Sequence, residues 1–206
     1  MLKKLMQNCR KPQGVIGRMI VGSMNYGHSN ISRWGLSRLT AAKDARVLDI
    51  GCGGGANIKR LLAICPQGFI DGIDYSEQSV AVSRKKNLAD LGKRCEIRQG
   101  TVSRLPYDSD VFDAVTAFET IYFWPDVAAD FREVRRVLKP GGSFLICNSA
   151  SDPADGTWPE KIEGMRIYGK DELARLLSDS GLSVTVSDTN EKGWLCLVCR
   201  KDLTDS

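Results

Sequence analysis

Four of the five residues from Gly51 to Gly55 are glycine, in "VLDIGCGGGAN" (47–57), and they follow at once on an apolar stretch holding Asp49. Without Cβ atoms, Gly51, Gly53 and Gly55 permit dihedrals that other residues resist and let a ligand approach bare main chain. Backbone N–H groups at the start of a following helix suit an anionic group. Asp74 stands 19 residues after Gly55, in "GFIDGIDYSEQ". Nucleotide-binding folds place an acid about 20 residues beyond such a turn, where it receives ribose hydroxyls. A carboxylate suits a vicinal diol because each oxygen can accept one hydroxyl. Glycines and acid together describe a site for an adenosine-containing ligand. Gly51, Gly53 and Ala56 also fit G-x-G-x-x-A, which keeps a nicotinamide dinucleotide open as that ligand.

The elements that must position these residues alternate between strand and helix. Ala45–Ile50 reads as a strand, and Ala56–Cys65 as a helix with Ile58, Leu61, Leu62 and Cys65 on one face, stopped by Pro66. Gly68–Ile73 is a second strand. Ser76 caps a helix expected to run to about Gly92. Strands follow at Cys95–Gln99 and Val111–Phe118, then an amphipathic helix at Pro125–Leu138 closed by Pro140-Gly141-Gly142. Ser143–Asn148 is a strand, Asp171–Ser180 a helix, and Leu182–Ser187 and Gly193–Arg200 are strands joined by a short turn. Such alternation predicts a mostly parallel sheet covered on both faces, a three-layer α/β/α sandwich. The short last link allows an antiparallel pair. Ligands of such sheets sit beyond the carboxyl ends of the strands at the switch point, where the glycine run falls.

The 206 residues, 42% hydrophobic and 26% charged, suit one soluble globular domain. No apolar run approaches the ~18 residues a membrane span needs, and Arg18 breaks the most apolar N-terminal stretch, so a signal peptide is not expected. A cytoplasmic location is the default. Seven scattered cysteines make no disulfide framework. Cys196 and Cys199 form a C-x-x-C, but odd spacing puts them on opposite faces of a strand, as small packed hydrophobes rather than metal ligands. No metal site is expected. Residues 1–46 carry nine Lys/Arg and one acid, a balance of +8, against −4 for the remainder. The N-terminal piece, residues 1–44, thus reads as a basic helical arm before a domain at 45–206. Its charge suits a solvated helical face, or attraction of an anionic substrate, an acidic partner or a phosphate surface. No aromatic RNA-binding signature or helix-turn-helix pattern points to nucleic acid.

"VLDIGCGGG", "GIDYS", "FDAVTAFETIYFWPD" and "LKPGGSFLI", in order and suitably spaced, resemble the class I S-adenosylmethionine-dependent methyltransferases, especially the small-molecule branch with the ubiquinone/menaquinone-type enzymes. The resemblance covers Ala45 to Arg200. It implies a Rossmann-like seven-stranded, mostly parallel sheet with the last strand antiparallel. It implies S-adenosyl-L-methionine as cofactor, with Asp49 and the backbone of Gly51, Cys52 and Gly53 holding the methionine part. Asp74 would bind the ribose hydroxyls and Tyr75 would lie against the adenine. The family's "GD" after the third strand is Gly100-Thr101 here, so the Thr101 hydroxyl and the Val102 N–H take over the adenine edge. Phe118 and Glu119 would border the sulfonium. An adenosyl-cofactor-binding regulator without turnover is the alternative. An NAD-dependent oxidoreductase is a weaker one, because no tyrosine has lysine four residues later.

Methyl transfer from a sulfonium is an in-line displacement with a neutral leaving group, so alignment and desolvation suffice unless the acceptor must lose a proton. No nucleophile triad is needed. Candidate catalytic residues are His28, the only histidine, in the arm that related enzymes use as a lid, and Glu119, after the fourth strand. Tyr26 and Arg33 could reach the cofactor carboxylate. Tyr26, Tyr122 and Trp124 are candidate acceptor contacts, with core packing the competing role for the last two. Met165 and Tyr168 are read as hinge packing near the acceptor. The expected reaction methylates a small molecule.

Overall fold

The computed structural model describes residues 27–203. In chain order the elements are α1 (Ser29–Leu36), β1 (Arg46–Ile50), α2 (Ala56–Ile64), β2 (Phe69–Asp74), α3 (Glu77–Lys86), β3 (Cys95–Gln99) and β4 (Phe112–Phe118). A single 3-10 turn at Ile121–Phe123 leads to α4 (Val127–Val137), β5 (Leu138–Asn148), α5 (Lys170–Asp179), β6 (Leu182–Thr189) and β7 (Leu195–Lys201). The seven strands form one sheet in the order β3-β2-β1-β4-β5-β7-β6. β1 to β5 run parallel to one another, and β7 runs antiparallel between β5 and β6.

Alternation along the strands feeds two cores. Val47, Cys52, Ile58, Leu61, Ile70, Val80 and Cys147 pack on the face covered by α1, α2 and α3. Leu48, Ile50, Val115, Phe131, Phe144, Leu173 and Leu197 pack on the face covered by α4 and α5. Cys196 and Cys199 fall one on each face, as their odd spacing predicts. Six cysteines are buried and unbridged; Cys9 lies outside the described residues. Helix α1 joins the core: Ile31, Leu36 and Leu39 are buried, and Gly35 lies so close to Phe118 and Cys147 that a Cβ would collide with both side chains.

Three boundaries differ from expectation. The helix after Ser76 stops at Lys86 rather than near Gly92. There the Asn87 amide turns inward and donates to the carbonyls of Gly55 (3.1 Å) and Ser83 (2.9 Å), tying the helix end to the glycine turn. Strand β5 begins at Leu138, before the Pro-Gly-Gly, because Leu138 is already extended and pairs with Phe112; the register then shifts before Ala114 pairs with Ser143. Helix α4 accordingly ends at Val137. No helix among the described residues is long and apolar enough to cross a membrane.

Candidate functional site

Chain order places β1 and β4 side by side at the centre, with connections leaving in opposite directions, so the switch point lies between them. Asp49 and Thr116 are register partners there, and the Thr116 hydroxyl donates to Asp49 Oδ1 at 2.7 Å. The other oxygen, Oδ2, is buried with no partner among the described residues. Burial pushes the Asp49 carboxyl up to about 7, against the opposing Thr116 hydrogen bond. A lone buried acceptor beside glycine backbone is costly unless a donor arrives, and a cation satisfies it best.

The turn from Gly51 to Gly55 is built on left-handed dihedrals, with φ of 69° at Gly51, 51° at Gly53 and 73° at Gly55. Gly51 and Gly55 are also squeezed: a Cβ would strike the Thr120 side chain at the first and Ser83 and Asn87 at the second. Gly53 is different. The nearest atom to a Cβ there is the Gly51 carbonyl oxygen at 3.9 Å, so its bare face borders open space. Its N–H donates to Asp74 Oδ2 at 2.9 Å, while the Ser76 N–H donates to Asp74 Oδ1 at 2.9 Å. Each carboxylate oxygen is thus braced by one backbone donor and keeps acceptor capacity outward. Burial raises the Asp74 carboxyl, and these two hydrogen bonds oppose the rise. The Ser76 hydroxyl caps α3 through Ser79 N–H (3.3 Å), fixing the strand-to-helix turn that carries Asp74. Cys52 is buried, and burial with the two neighbouring aspartates pushes its thiol well up, which removes it as a nucleophile.

A second constellation sits at the end of β4. Glu119 has a left-handed backbone (φ 57°) and its side chain is 9% exposed. Ser149 grips it with both donors, N–H to Oε1 and hydroxyl to Oε2 (2.6 Å), and the Tyr122 hydroxyl lies 3.5 Å from Oε1. The Tyr122 oxygen in turn accepts from Ala150 N–H at 2.9 Å. His28 Nε2, on a side chain 40% exposed, stands 3.9 Å from Glu119 Oε2. Burial raises the Glu119 carboxyl, opposed first by His28 and then by Ser149. Residues 91 apart in sequence, both expected to be catalytic, therefore face each other.

The remaining sequence candidates fall as follows. Tyr75 is partly exposed beside Asp74, and its carbonyl accepts from the Gln99 amide at 3.1 Å. Thr101 is exposed just past β3, Val102 is buried, and Phe118 is nearly so. Trp124 belongs to the core: its ring stacks on Phe144 (6.2 Å) and meets Phe131 edge-on (5.8 Å), so of its two sequence readings packing is the one displayed. Tyr168 is likewise core. Tyr26 and most of the arm lie outside the described residues. Sequence reasoning missed Thr116 and Ser149, which act through cross-strand register and loop return. A polar groove of about 410 Å³ lined by Arg46, Arg104, Tyr107 and Asp108 lies by the amino ends of β1 and β4, away from these carboxylates.

This strand order, with a glycine turn and paired acids at the switch point, defines the class I methyltransferase fold. Residues 48–146 match the family described as a methyltransferase domain. The chain is 28% identical over 159 residues to the cycloartenol-C-24-methyltransferase of Arabidopsis thaliana, covering 77% of this chain and 46% of that one. It is 35% identical over 135 residues to the demethylmenaquinone methyltransferase of Listeria welshimeri, covering 62% and 56%. The chain thus spans about half the length of these curated relatives. A solved SAM-dependent methyltransferase from Aquifex aeolicus superposes with a TM-score of 0.76 at 18% identity, covering 89% of this chain and 98% of that one. Over residues 48–146 the chain is thus similar to the methyltransferase-domain family, and its fold is the one that such S-adenosylmethionine-dependent enzymes share.

The residues fit that class's cofactor on three counts. Asp49 Oδ2 is a buried acceptor lacking a donor, Gly53 leaves a Cβ-sized space, and Asp74 presents two braced oxygens.

Proposed function

We propose that the chain is an S-adenosylmethionine-dependent methyltransferase acting on a small molecule. The observation that carries this reading is the pair Asp49 and Asp74, on the adjacent strands β1 and β2 that flank the glycine turn, one with an open buried oxygen and one with both oxygens braced by the N–H groups of Gly53 and Ser76. When bound, S-adenosylmethionine supplies a methyl group activated on a sulfonium. Asp74 accepts the ribose hydroxyls, and Asp49 with the Gly51–Gly53 backbone holds the methionine ammonium end. Tyr75 lies against the adenine, whose edge meets the Thr101 hydroxyl and Val102 N–H. Phe118 and Glu119 border the methyl side. The chain's residues then contribute alignment and exclusion of water, the main requirements of an in-line displacement.

His28 serves an acceptor that must lose a proton. Glu119, fixed by Ser149 and Tyr122, orients the imidazole. Tyr122 borders the acceptor, and the balance of +8 over residues 1–46 places positive charge in the N-terminal part of the chain. That charge favours an anionic acceptor. Six unbridged cysteines suit a reducing, cytoplasmic setting.

The test is transfer of label from methyl-labelled S-adenosylmethionine into a small-molecule extract, followed by isolation of the labelled product. Label in a low-mass product upholds the reading; persistent failure with the cofactor demonstrably bound favours a regulator. Once a product is known, His28→Gln is expected to lower turnover at least about tenfold, with the loss concentrated in kcat. Unchanged turnover across pH removes the base.

A further inference from the structure

We propose that the groove at the amino ends of β1 and β4 is a second ligand site, built to take a small hydroxylated phosphate or carboxylate at the end of the sheet away from the cofactor cleft. The groove holds about 410 Å³, with Arg46, Arg104, Tyr107 and Asp108 among its lining residues. That volume falls in the range of small-molecule sites, about 300–1,000 Å³. Arg46, the first residue of β1, is fixed before any ligand arrives. Its backbone N–H donates to Asp113 Oδ2 at 2.8 Å and its Nε to Asp71 Oδ2 at 2.9 Å. Its guanidinium lies 5.7 Å from the centre of the Phe69 ring and 5.3 Å from that of Phe112. Nη1 and Nη2 have no partner among the described residues, and neither has the Arg104 side chain. An arginine held at Nε by a carboxylate, with both Nη groups open, is arranged in advance to fork onto an oxyanion.

The opposite wall is held open. Arg136 donates to the carbonyls of Tyr107 (2.8 Å) and Leu105 (3.2 Å), and the Leu105 N–H donates to Glu133 Oε1 at 2.8 Å. These bonds pin the loop that carries Arg104 and Tyr107 to α4. Below the groove, Asp71 is fully buried, and its Oδ1 has no partner among the described residues; the buried Tyr107 hydroxyl has none either. Burial raises the Tyr107 hydroxyl and the Asp71 charge adds to the rise, so the phenol keeps its proton and remains a donor. A buried donor without an acceptor is costly, and a ligand oxygen drawn in by Arg46 supplies one.

Asp108 decides the rest of the ligand. It is the one acid among the lining residues, and it lies near Arg136, whose guanidinium is raised first by Glu133 and last by Asp108. A carboxylate facing two arginines disfavours a bare polyanion and suits a hydroxyl next to the anionic group. Leu105, Pro106 and Val111 give the carbon skeleton an apolar wall. Phosphate and carboxylate are the two sources of the anion.

Calorimetry on the full chain tests the site, with saturating S-adenosylhomocysteine present to keep anions out of the cofactor cleft. The probes are ribose 5-phosphate, gluconate and uncharged ribose. At least one of the two anions is expected to bind and ribose not to; the tighter of the two anions identifies the group. Arg104→Gln and Arg46→Lys, the second of which keeps a cation beside Asp71, should each weaken the bound anion about tenfold or more. Tyr107→Phe should weaken it about threefold without lowering the melting temperature, because the hydroxyl it removes has no partner in the fold. The proposal is overturned if neither anion binds the parent, if ribose binds as well as the anions, or if all three variants bind as the parent does. Failure of S-adenosylhomocysteine to bind would count against the function proposed above and leave the groove to be decided by Arg104→Gln, which lies far from that cleft.

Discussion

Asp49 is a buried acid with one oxygen that has no partner among the described residues. Its carboxyl, pushed up to about 7 by burial, is largely protonated at pH 6 and ionised at pH 8 in the free protein. The sign follows from linkage. A folded-state value above the unfolded one means that the folded chain holds the proton more tightly, so this group's contribution to stability falls as pH rises from about 4 to about 7. A cationic ligand group prefers the ionised form. The affinity for S-adenosylhomocysteine should therefore rise with pH up to about 7 and level off above it, with proton release on binding below that point. In Asp49→Asn the slope disappears and affinity falls at all pH values. Calorimetry in buffers of different ionisation enthalpy reads both. At this scale Asp74 was legible because its place depends on one strand and one spacing. Thr116 was not, because its meaning depends on which strand lies beside β1. The His28–Glu119 contact was half legible: each residue stood out, and only the tertiary structure joins them.

The glycine turn shows how an element divides its work. Gly55 is structural, locked against Ser83 and Asn87, whereas Gly53 faces open space. Both have positive φ, so alanine at either position carries a backbone cost of about 1 kcal/mol. Gly55→Ala adds a collision with α3 and is expected to lose about 2 kcal/mol or more in denaturant unfolding. Gly53→Ala should lose only the backbone cost, yet weaken S-adenosylhomocysteine about tenfold because its methyl intrudes on ligand space. Equal destabilisation by the two would contradict this division. The strands and amphipathic helices were readable from periodicity, since buried parallel strands and one-sided helices leave strong patterns. Their ends were less so. Asn87 stops α3 through a long-range bond to Gly55, and β5 starts early because Leu138 finds Phe112.

Across the whole molecule, the switch point and the packing of α1 onto the sheet bring β1, β2, β4 and the first helix to one cleft. A ligand there touches elements far apart in sequence and should stabilise the fold as a unit. At one hundred times its Kd, S-adenosylhomocysteine should add about 2.7 kcal/mol. That corresponds to a rise in melting temperature of roughly 5–10 °C for a chain of this size, with no rise from NAD. The parallel sheet and its antiparallel seventh strand were legible from the order and spacing of segments, whereas the lateral order β5-β7-β6 follows from pairing that no local pattern encodes. The central claim is that bare backbone at Gly53 and the paired acids at the switch point receive an adenosyl cofactor. A crystal structure of the protein soaked with S-adenosylhomocysteine tests it most directly. The account predicts ribose hydroxyls on Asp74 and the ammonium directed at Asp49. A nucleoside seated elsewhere, or one in this cleft with its sugar turned away from Asp74, would contradict it.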